Sequence, residues 1–303
     1  MIYTVGEIVL DIITRNFDDM RAKPGGAMLN TAITLGRLGL PVNHISYLSV
    51  DQNGRLILDF LSENNVGANY IYLSDQIRTN LAFAHLDSDF KAHYTFYKDD
   101  LSDYSLLKFP NLRKGDVILY GSSFAINQKV QGVLMSFLKR AKDAGALLIY
   151  DPNFRVSYRS KLNELMPTID KAIQMAHIVK ASDEDMKYMF NVEDPDEAWQ
   201  VISQKGAKVL VLTRGREGAV QYSMQGSTRV NGCAIQSVST IGAGDTFTAG
   251  MISRLTEDDI NHIVNDEPIN DWLSVLKVAN EFAAQVCLSY ENYLSWDYIK
   301  SQK

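Results

Sequence analysis

Residues 239–250 read STIGAGDTFTAG, and within them Gly242-Ala243-Gly244 leads into the carboxylate Asp245 at the start of a helical pattern. Glycines without Cβ atoms let backbone N–H groups converge on an anion, and a helix N-terminus adds about half a positive charge. A carboxylate beside such a hole repels phosphate unless it has a chemical task. Taking the proton from an attacking hydroxyl is one. The same residues also fit a plain glycine-rich turn with Asp245 as a helix cap, and short glycine motifs often match by chance. The pattern alone leaves both readings open. A dinucleotide fingerprint fits poorly, because Phe247 stands where a third glycine is needed and the motif does not open the chain's first βαβ unit. A Walker A loop fails as well, since no Gly-Lys-Ser/Thr follows.

A second stretch is Pro24–Val42, PGGAMLNTAITLGRLGLPV. Gly25-Gly26 opens a helix whose apolar face includes Ala27, Leu29, Ala32, Ile33, Leu35 and Leu38, and Gly39 ends it. Asn30 lies one turn in, where its amide would reach a ligand hydroxyl; an ordinary capped helix explains the same residues. Asp11 reads equally as a strand-end turn residue, and Asp151-Pro152-Asn153 is a good turn by composition. The five histidines, His44, His85, His93, His177 and His262, have no ligand-like spacing. Cys233 and Cys287 are far apart and read as packing residues in a reducing compartment.

These residues need elements to position them. Apolar runs of strand length at Ile2–Val9, His44–Val50, Val117–Tyr120, Ala146–Tyr150, His177–Lys180 and Lys208–Thr213 alternate with helical patterns. The helices are expected over Ala27–Leu38, Arg55–Asn64, Gln128–Asp143, Leu162–Ala176, Asp183–Phe190 and Glu197–Lys205. Near-continuous apolar strands alternating with helices predict an α/β fold with a mostly parallel sheet covered on both faces. Ala219–Gln225 and Ser227–Asn231 read as a hairpin, and helices follow from about Ala243 to the end. Thr79–Leu86 and Lys91–Lys98 form a second hairpin around Asp87-Ser88-Asp89, with no helix beside it. Ile12–Lys23 is too long for a tight turn, so it joins that hairpin in a small separate sheet.

Composition limits the function classes. The 303 residues suit one large domain, or one with a small appendage, and can bury a core without disulfides. Thirty basic against 36 acidic side chains leave a net charge of −6, which argues against nucleic acid or an anionic membrane as partner. Nucleotide binding remains open, because backbone N–H groups can hold phosphates. The N-terminus has no basic leader, and no apolar run approaches the ~20 residues of a membrane span, so a cytoplasmic location is expected.

GGAMLNTAITLGRLG, residues 25–39, resembles the N-terminal signature of the pfkB (ribokinase-like) carbohydrate kinases, and STIGAGDTFTAG resembles their C-terminal signature. The two stand in order and at the right separation. GEIVLD at 6–11, DPNFR at 151–155 and VLTRGREGA at 211–219 match too, so the resemblance spans essentially the whole chain. It implies a ribokinase-like fold with a mostly parallel central sheet flanked by helices. Residues 1–11, 25–76 and 103–303 would form the large domain, and 12–24 with 77–102 a small β lid. The implied activity is ATP-dependent transfer of the γ-phosphoryl group to a sugar hydroxyl, with Mg2+ as cofactor. DPNFR and GEIVLD lean toward a fructokinase-like enzyme. The alternatives are a kinase for another sugar, 2-keto-3-deoxygluconate or ribose, and a non-catalytic sugar- or nucleotide-binding protein on the same fold.

The resemblance also assigns roles. Asp245 matches the catalytic base, and Gly242, Ala243 and Gly244 the anion hole. Asp11, Gly26 and Asn30 match sugar-binding positions, and Arg155 the arginine of fructokinases and 2-keto-3-deoxygluconate kinases. Thr213, Gly215 and Gly218 match the nucleotide-side turn, and Asn280 the residue beside the base of the nucleotide. The family's N-x-x-E motif, which helps place magnesium, becomes Ser182-x-x-Asp185, so Asp185 carries that indirect metal role on a shorter arm. FYKDDLSD at 96–103 resembles the lid segment, with Lys98 where an arginine is usual. Family lids often pair, which implies a homodimer through the lid. Members that respond to potassium carry an aspartate six residues before the base, where this chain has Ser239. A hydroxyl offers a cation only a dipole, so turnover nearly independent of potassium is expected.

Overall fold

A computed structural model describes residues 1–16, 18–86, 92–269 and 271–301. Its frame is a nine-stranded sheet. In chain order the strands are β1 (Ile2–Val5), β4 (Val42–Ser49), β5 (Val66–Ser74), β8 (Val117–Gly121), β9 (Leu147–Asp151), β10 (Ile178–Ser182), β11 (Val209–Thr213), β12 (Ala219–Ser223) and β13 (Gly226–Val230). Their order across the sheet is β13-β12-β11-β10-β9-β8-β1-β4-β5. Every pair from β5 to β11 is parallel, and the β12–β13 hairpin adds an antiparallel edge. β8, β9 and β10 are buried almost throughout, as the near-continuous apolar runs require.

Helices cover both faces. Helices α1 (Ala27–Arg37), α8 (Ala243–Arg254) and α10 (Trp272–Val286) share one apolar core with Leu119, Ile149 and Val211. On the opposite face α4 (Gln131–Asp143), α5 (Leu162–Met175), α6 (Asp183–Phe190) and α7 (Pro195–Gln204) pack on Ile118, Leu148 and Leu210. The remaining helices are α2 (Gln52–Glu63), α3 (Ser122–Ile126), α9 (Glu257–Val264) and α11 (Trp296–Ser301). The chain winds outward from β1 to β5 on one side and from β8 to β13 on the other. The strand order therefore reverses between β1 and β8, and open α/β sheets bind ligands beyond the strand ends at such a point.

A four-stranded sheet stands apart, with β2 (Val9–Asn16), β3 (Asp19–Gly25), β6 (Leu81–Leu86) and β7 (Ala92–Tyr97) in the order β3-β2-β6-β7. The expected hairpin is β6–β7; its Asp87-Ser88-Asp89 turn lies outside the described residues. The segment expected over 12–23 forms β2–β3, and a parallel β2–β6 pairing joins the two hairpins. Two expectations fail: Cys233, read as a packing residue, is exposed, and the first strand is shorter than expected. The first apolar run is not a single strand over Ile2–Val9: the chain leaves the large sheet after Val5 and enters the small one at Val9. Glu7, in the gap, pairs with Lys98, and Ser123 donates to its other oxygen at 2.7 Å. Polar anchoring at Glu7 thus bends the run, and Asp11 rides on the small sheet.

Candidate active site

The N-terminal turn of α8 lies at the centre of the site. Gly242 caps the helix at φ +79°, a left-handed value that glycine adopts without strain. A Cβ there would also lie 2.1 Å from the carbonyl oxygen of Asn292, so the C-terminal loop packs directly on the turn. Ala243, Gly244 and Asp245 form the first helical positions, where N–H groups have no acceptor within the helix; that of Ala243 donates to the Thr240 carbonyl at 3.3 Å.

Asp245 is 6% exposed. Asn30, on α1, donates from Nδ2 to Asp245 Oδ2 at 2.9 Å, and Asn153 donates to Oδ1 at 3.3 Å. The Thr31 hydroxyl donates to the Asp245 carbonyl at 3.0 Å, fixing α8 on α1. Burial pushes the Asp245 carboxyl up to about 6, with nearby Asp151 adding to the rise. The Asn30 hydrogen bond, Lys180 and Arg155 pull the other way. A carboxylate poised just below neutral pH can accept a proton while remaining charged at rest.

Asp11 lies across the site on β2. Asn292 donates to its Oδ2 at 3.0 Å, and burial pushes its carboxyl up to about 7. Arg155 offsets part of that rise, and Asp245 adds to it, so the three charges share one electrostatic neighbourhood. The Arg155 guanidinium sits 5.4 Å from the ring centre of Tyr94 on β7, bridging the loop after β9 to the small sheet. Gly26 caps α1 at φ +119°, beside Glu7.

The other sequence-derived positions lie farther along the sheet. Thr213 ends β11 and donates to the Ala181 carbonyl at 3.3 Å. Gly215 and Gly218 bracket the tight turn into β12, and Gly218 abuts the exit of β13 at Val230–Gly232. Asn280, on α10, donates to the Asn231 carbonyl at 2.8 Å and so reaches the same exit. These four residues therefore border one region, next to α8 but apart from Asp11 and Arg155. Asp185 caps α6 together with Ser182, and its oxygens accept from the N–H groups of Ser182 and Phe154 at 2.8 and 2.7 Å. Lys98, the lid-segment departure, bonds to Glu7 and Ser123 rather than to the Asp245 cluster.

Sequence reasoning passed over Asn153, Asn292, Asp151 and Lys180. Asn153 lies inside the DPNFR segment, where composition alone reads it as a turn residue, which its φ of +39° also makes it. Lys180 had a signal of its own: an ammonium within a buried parallel strand demands a partner. Asp151 is that partner, at 3.0 Å.

The whole chain has relatives. Residues 2–297 match the pfkB family carbohydrate kinase model. The chain is 30% identical over 269 residues to a probable chloroplastic fructokinase-6 of Arabidopsis thaliana, covering 87% of this chain and 70% of that protein. It is 29% identical over 279 residues to fructokinase-2 of Solanum lycopersicum, covering 88% and 84%. Among solved structures, a fructokinase double mutant from Vibrio cholerae O395 bound to fructose, ADP and a potassium ion superposes with a TM-score of 0.85 at 23% identity, over 99% of this chain and 97% of that one. Aminoimidazole riboside kinase from Salmonella enterica, complexed with its riboside and an ATP analogue, gives 0.83 at 18% identity, over 99% and 98%. The ribokinase-like frame, the small sheet and both signatures thus agree with the family match along the chain's length: it belongs to the pfkB family of carbohydrate kinases and is an ATP-dependent sugar kinase.

Proposed function

We propose that this kinase is fructokinase-like, with Asp245 as general base. The observation that carries the reading is the Asp245 carboxylate, buried, held by two asparagine amides and set at the glycine-rich mouth of α8. The sugar lies between the small sheet and the frame, where Asp11, Gly26, Asn30 and Arg155 offer acceptors, donors and charge for its hydroxyls. ATP lies beyond α8, along Thr213, Gly215, Gly218 and Asn280. Asp245 takes the proton of the attacking hydroxyl as its oxygen reaches the γ-phosphorus. The N–H groups of Gly242, Ala243 and Gly244 hold the negative charge on the transferring group. Closure of the small sheet over the sugar keeps out water, which would otherwise compete as acceptor.

Magnesium suits this site in an indirect role. The ion keeps several waters and uses few protein oxygens. Both Asp185 oxygens already accept protein hydrogen bonds, so Asp185 would hold a hydrated ion through water while fixing the turn that carries Asn153. When bound with ATP, magnesium neutralises phosphate charge. Each edge strand of the lid exposes an apolar side chain, Met20 on β3 and Tyr97 on β7, and the open edges suit a homodimer paired through the lid.

ADP release measured across hexoses, pentoses, keto-acids and nucleosides tests the substrate. Fructose is expected to outperform ribose and adenosine; a nucleoside that outperformed every free sugar would remove the fructokinase-like reading. A second measurement concerns potassium. Ser239 is buried, and its hydroxyl accepts from the Ile241 N–H at 3.2 Å, so it brings no charge to the turn before α8. Turnover in potassium is expected to match turnover in tetramethylammonium at equal ionic strength. A stimulation of tenfold or more, about 1.4 kcal/mol of barrier, would show a working cation site.

A further inference from the structure

The sugar-kinase mechanism above leaves the buried charge of Lys180 unused. Lys180, in the middle of β10, has a side chain only 5% exposed, and Asp151 takes one of its three N–H donors. Its ammonium points at α8: a methyl group placed on Gly244 would lie 3.0 Å from Lys180 Nζ. The Thr248 hydroxyl, one turn further along α8, lies 3.3 Å from the same carboxylate oxygen and 3.0 Å from the Gly244 carbonyl, sharing its one proton between them. The Asp151 carboxylate thus joins strand β9, strand β10 and helix α8 at one buried point.

We propose that Lys180 is a positioning residue for phosphoryl transfer, a fixed positive charge beneath the Gly242–Gly244 hole that holds the first turn of α8 and favours negative charge there. A buried ion pair is weak evidence of a stabilising role, since apolar residues of similar volume often fill such a place as well. What an apolar pair cannot supply is charge where the transferring group becomes most negative. A Cβ at position 244 would press on the ammonium and oblige it to shift by a few tenths of an ångström.

The charges around Asp245 set the direction of the test. It is faced by Asp11 from β2, Tyr94 from β7, Asp151 and Arg155 from the end of β9 and beyond, Lys180 from β10, and the Asn30 amide from α1. Asp185, on α6, acts on Lys180 in turn. Lys180 favours the charged form of Asp245, and Asp151 opposes it. Removing the ammonium therefore makes Asp245 harder to ionise, and removing the Asp151 charge makes it easier.

The inference rests on the reading of Asp245 as base, and the experiment separates the two. Using the full-length enzyme, kcat/KM is measured against pH for the parent, Lys180→Met and Asp151→Asn. Lys180→Met is expected to lower kcat by about tenfold or more, with the sugar KM changed by less than about threefold. Its acidic limb should move to higher pH and that of Asp151→Asn to lower pH, each by about half a unit or more. Asp151→Asn preserves volume and an acceptor for the ammonium, so its limb decides the matter if Lys180→Met does not fold. Limbs that stay where the parent's lies, or move together in one direction, overturn the role given to Lys180 while leaving Asp245 as base. A parent enzyme whose kcat/KM shows no acidic limb would instead remove the reading on which the inference rests.

Discussion

Asp245→Asn should lower kcat by about 10²–10⁴-fold while leaving the dissociation constants for sugar and ATP within a few-fold of the parent. The amide keeps the shape of the carboxylate but cannot take up a proton from the sugar hydroxyl. Its fit is assured by Asn30: the Oδ1 of that residue is buried without a partner, so a turned Asn30 amide can accept from the new Nδ2. Titration calorimetry measures the binding half of the expectation and ADP release the turnover half. Turnover within a few-fold of the parent would mean that Asp245 is not the base. The parent's kcat/KM should fall as pH drops through about 6, where burial places the Asp245 carboxyl. Stability should move oppositely. A carboxyl whose folded value is raised contributes stability that is full below its ordinary range and lost as pH rises through about 6. The Asn variant should therefore melt higher than the parent at pH 7.5 and lose that advantage near pH 4.

Asp11→Ala should weaken sugar binding by about 5- to 150-fold, corresponding to roughly 1–3 kcal/mol for hydroxyls left without a partner. Asp11 acts on Asp245 through charge, and its hydrogen bond from Asn292 ties it to the loop whose carbonyl abuts Gly242. The loss should accordingly appear in the sugar dissociation constant, with the ATP constant unchanged. Asn30→Ala makes the contrast, because Asn30 also orients Asp245; there kcat should fall together with sugar affinity. An unchanged sugar constant with a weakened ATP constant in Asp11→Ala would place Asp11 on the wrong side of the site.

The two cases show how far the chain can be read without coordinates. Asp245 and the glycines before it are local: four consecutive residues make both the turn and the helix start, so the motif carries its own geometry. The buried strands β8 to β11 were equally plain, since a strand covered on both faces is apolar at nearly every position. Strand β5 was not. At the sheet edge it buries only Val66, Ile71 and Ser74, without a regular period, and Gly67, Asn69 and Ser74 break any apolar run. The Asn292–Asp11 bond joins residues 281 positions apart, and no spacing rule reaches that far. Lys180 and Asp151 sat in view at the ends of two predicted strands, and only the parallel β9–β10 pairing makes them neighbours.

The small sheet is built from two detours of the chain, one inserted between β1 and α1 and the other between β5 and β8, stitched together by the β2–β6 pairing. Helix α8, with the glycines and Asp245, comes from neither detour. Of the residues proposed to meet the sugar, Asp11 lies on these detours, whereas Gly26, Asn30 and Arg155 lie on the frame that also carries the glycine turn. Substitutions on β2, β3, β6 and β7 can change which hydroxyl-bearing molecule is gripped while the machinery of transfer is inherited intact. In such a protein, one part of the grip on substrate can be edited in two short inserts while the turn that handles phosphate is left untouched.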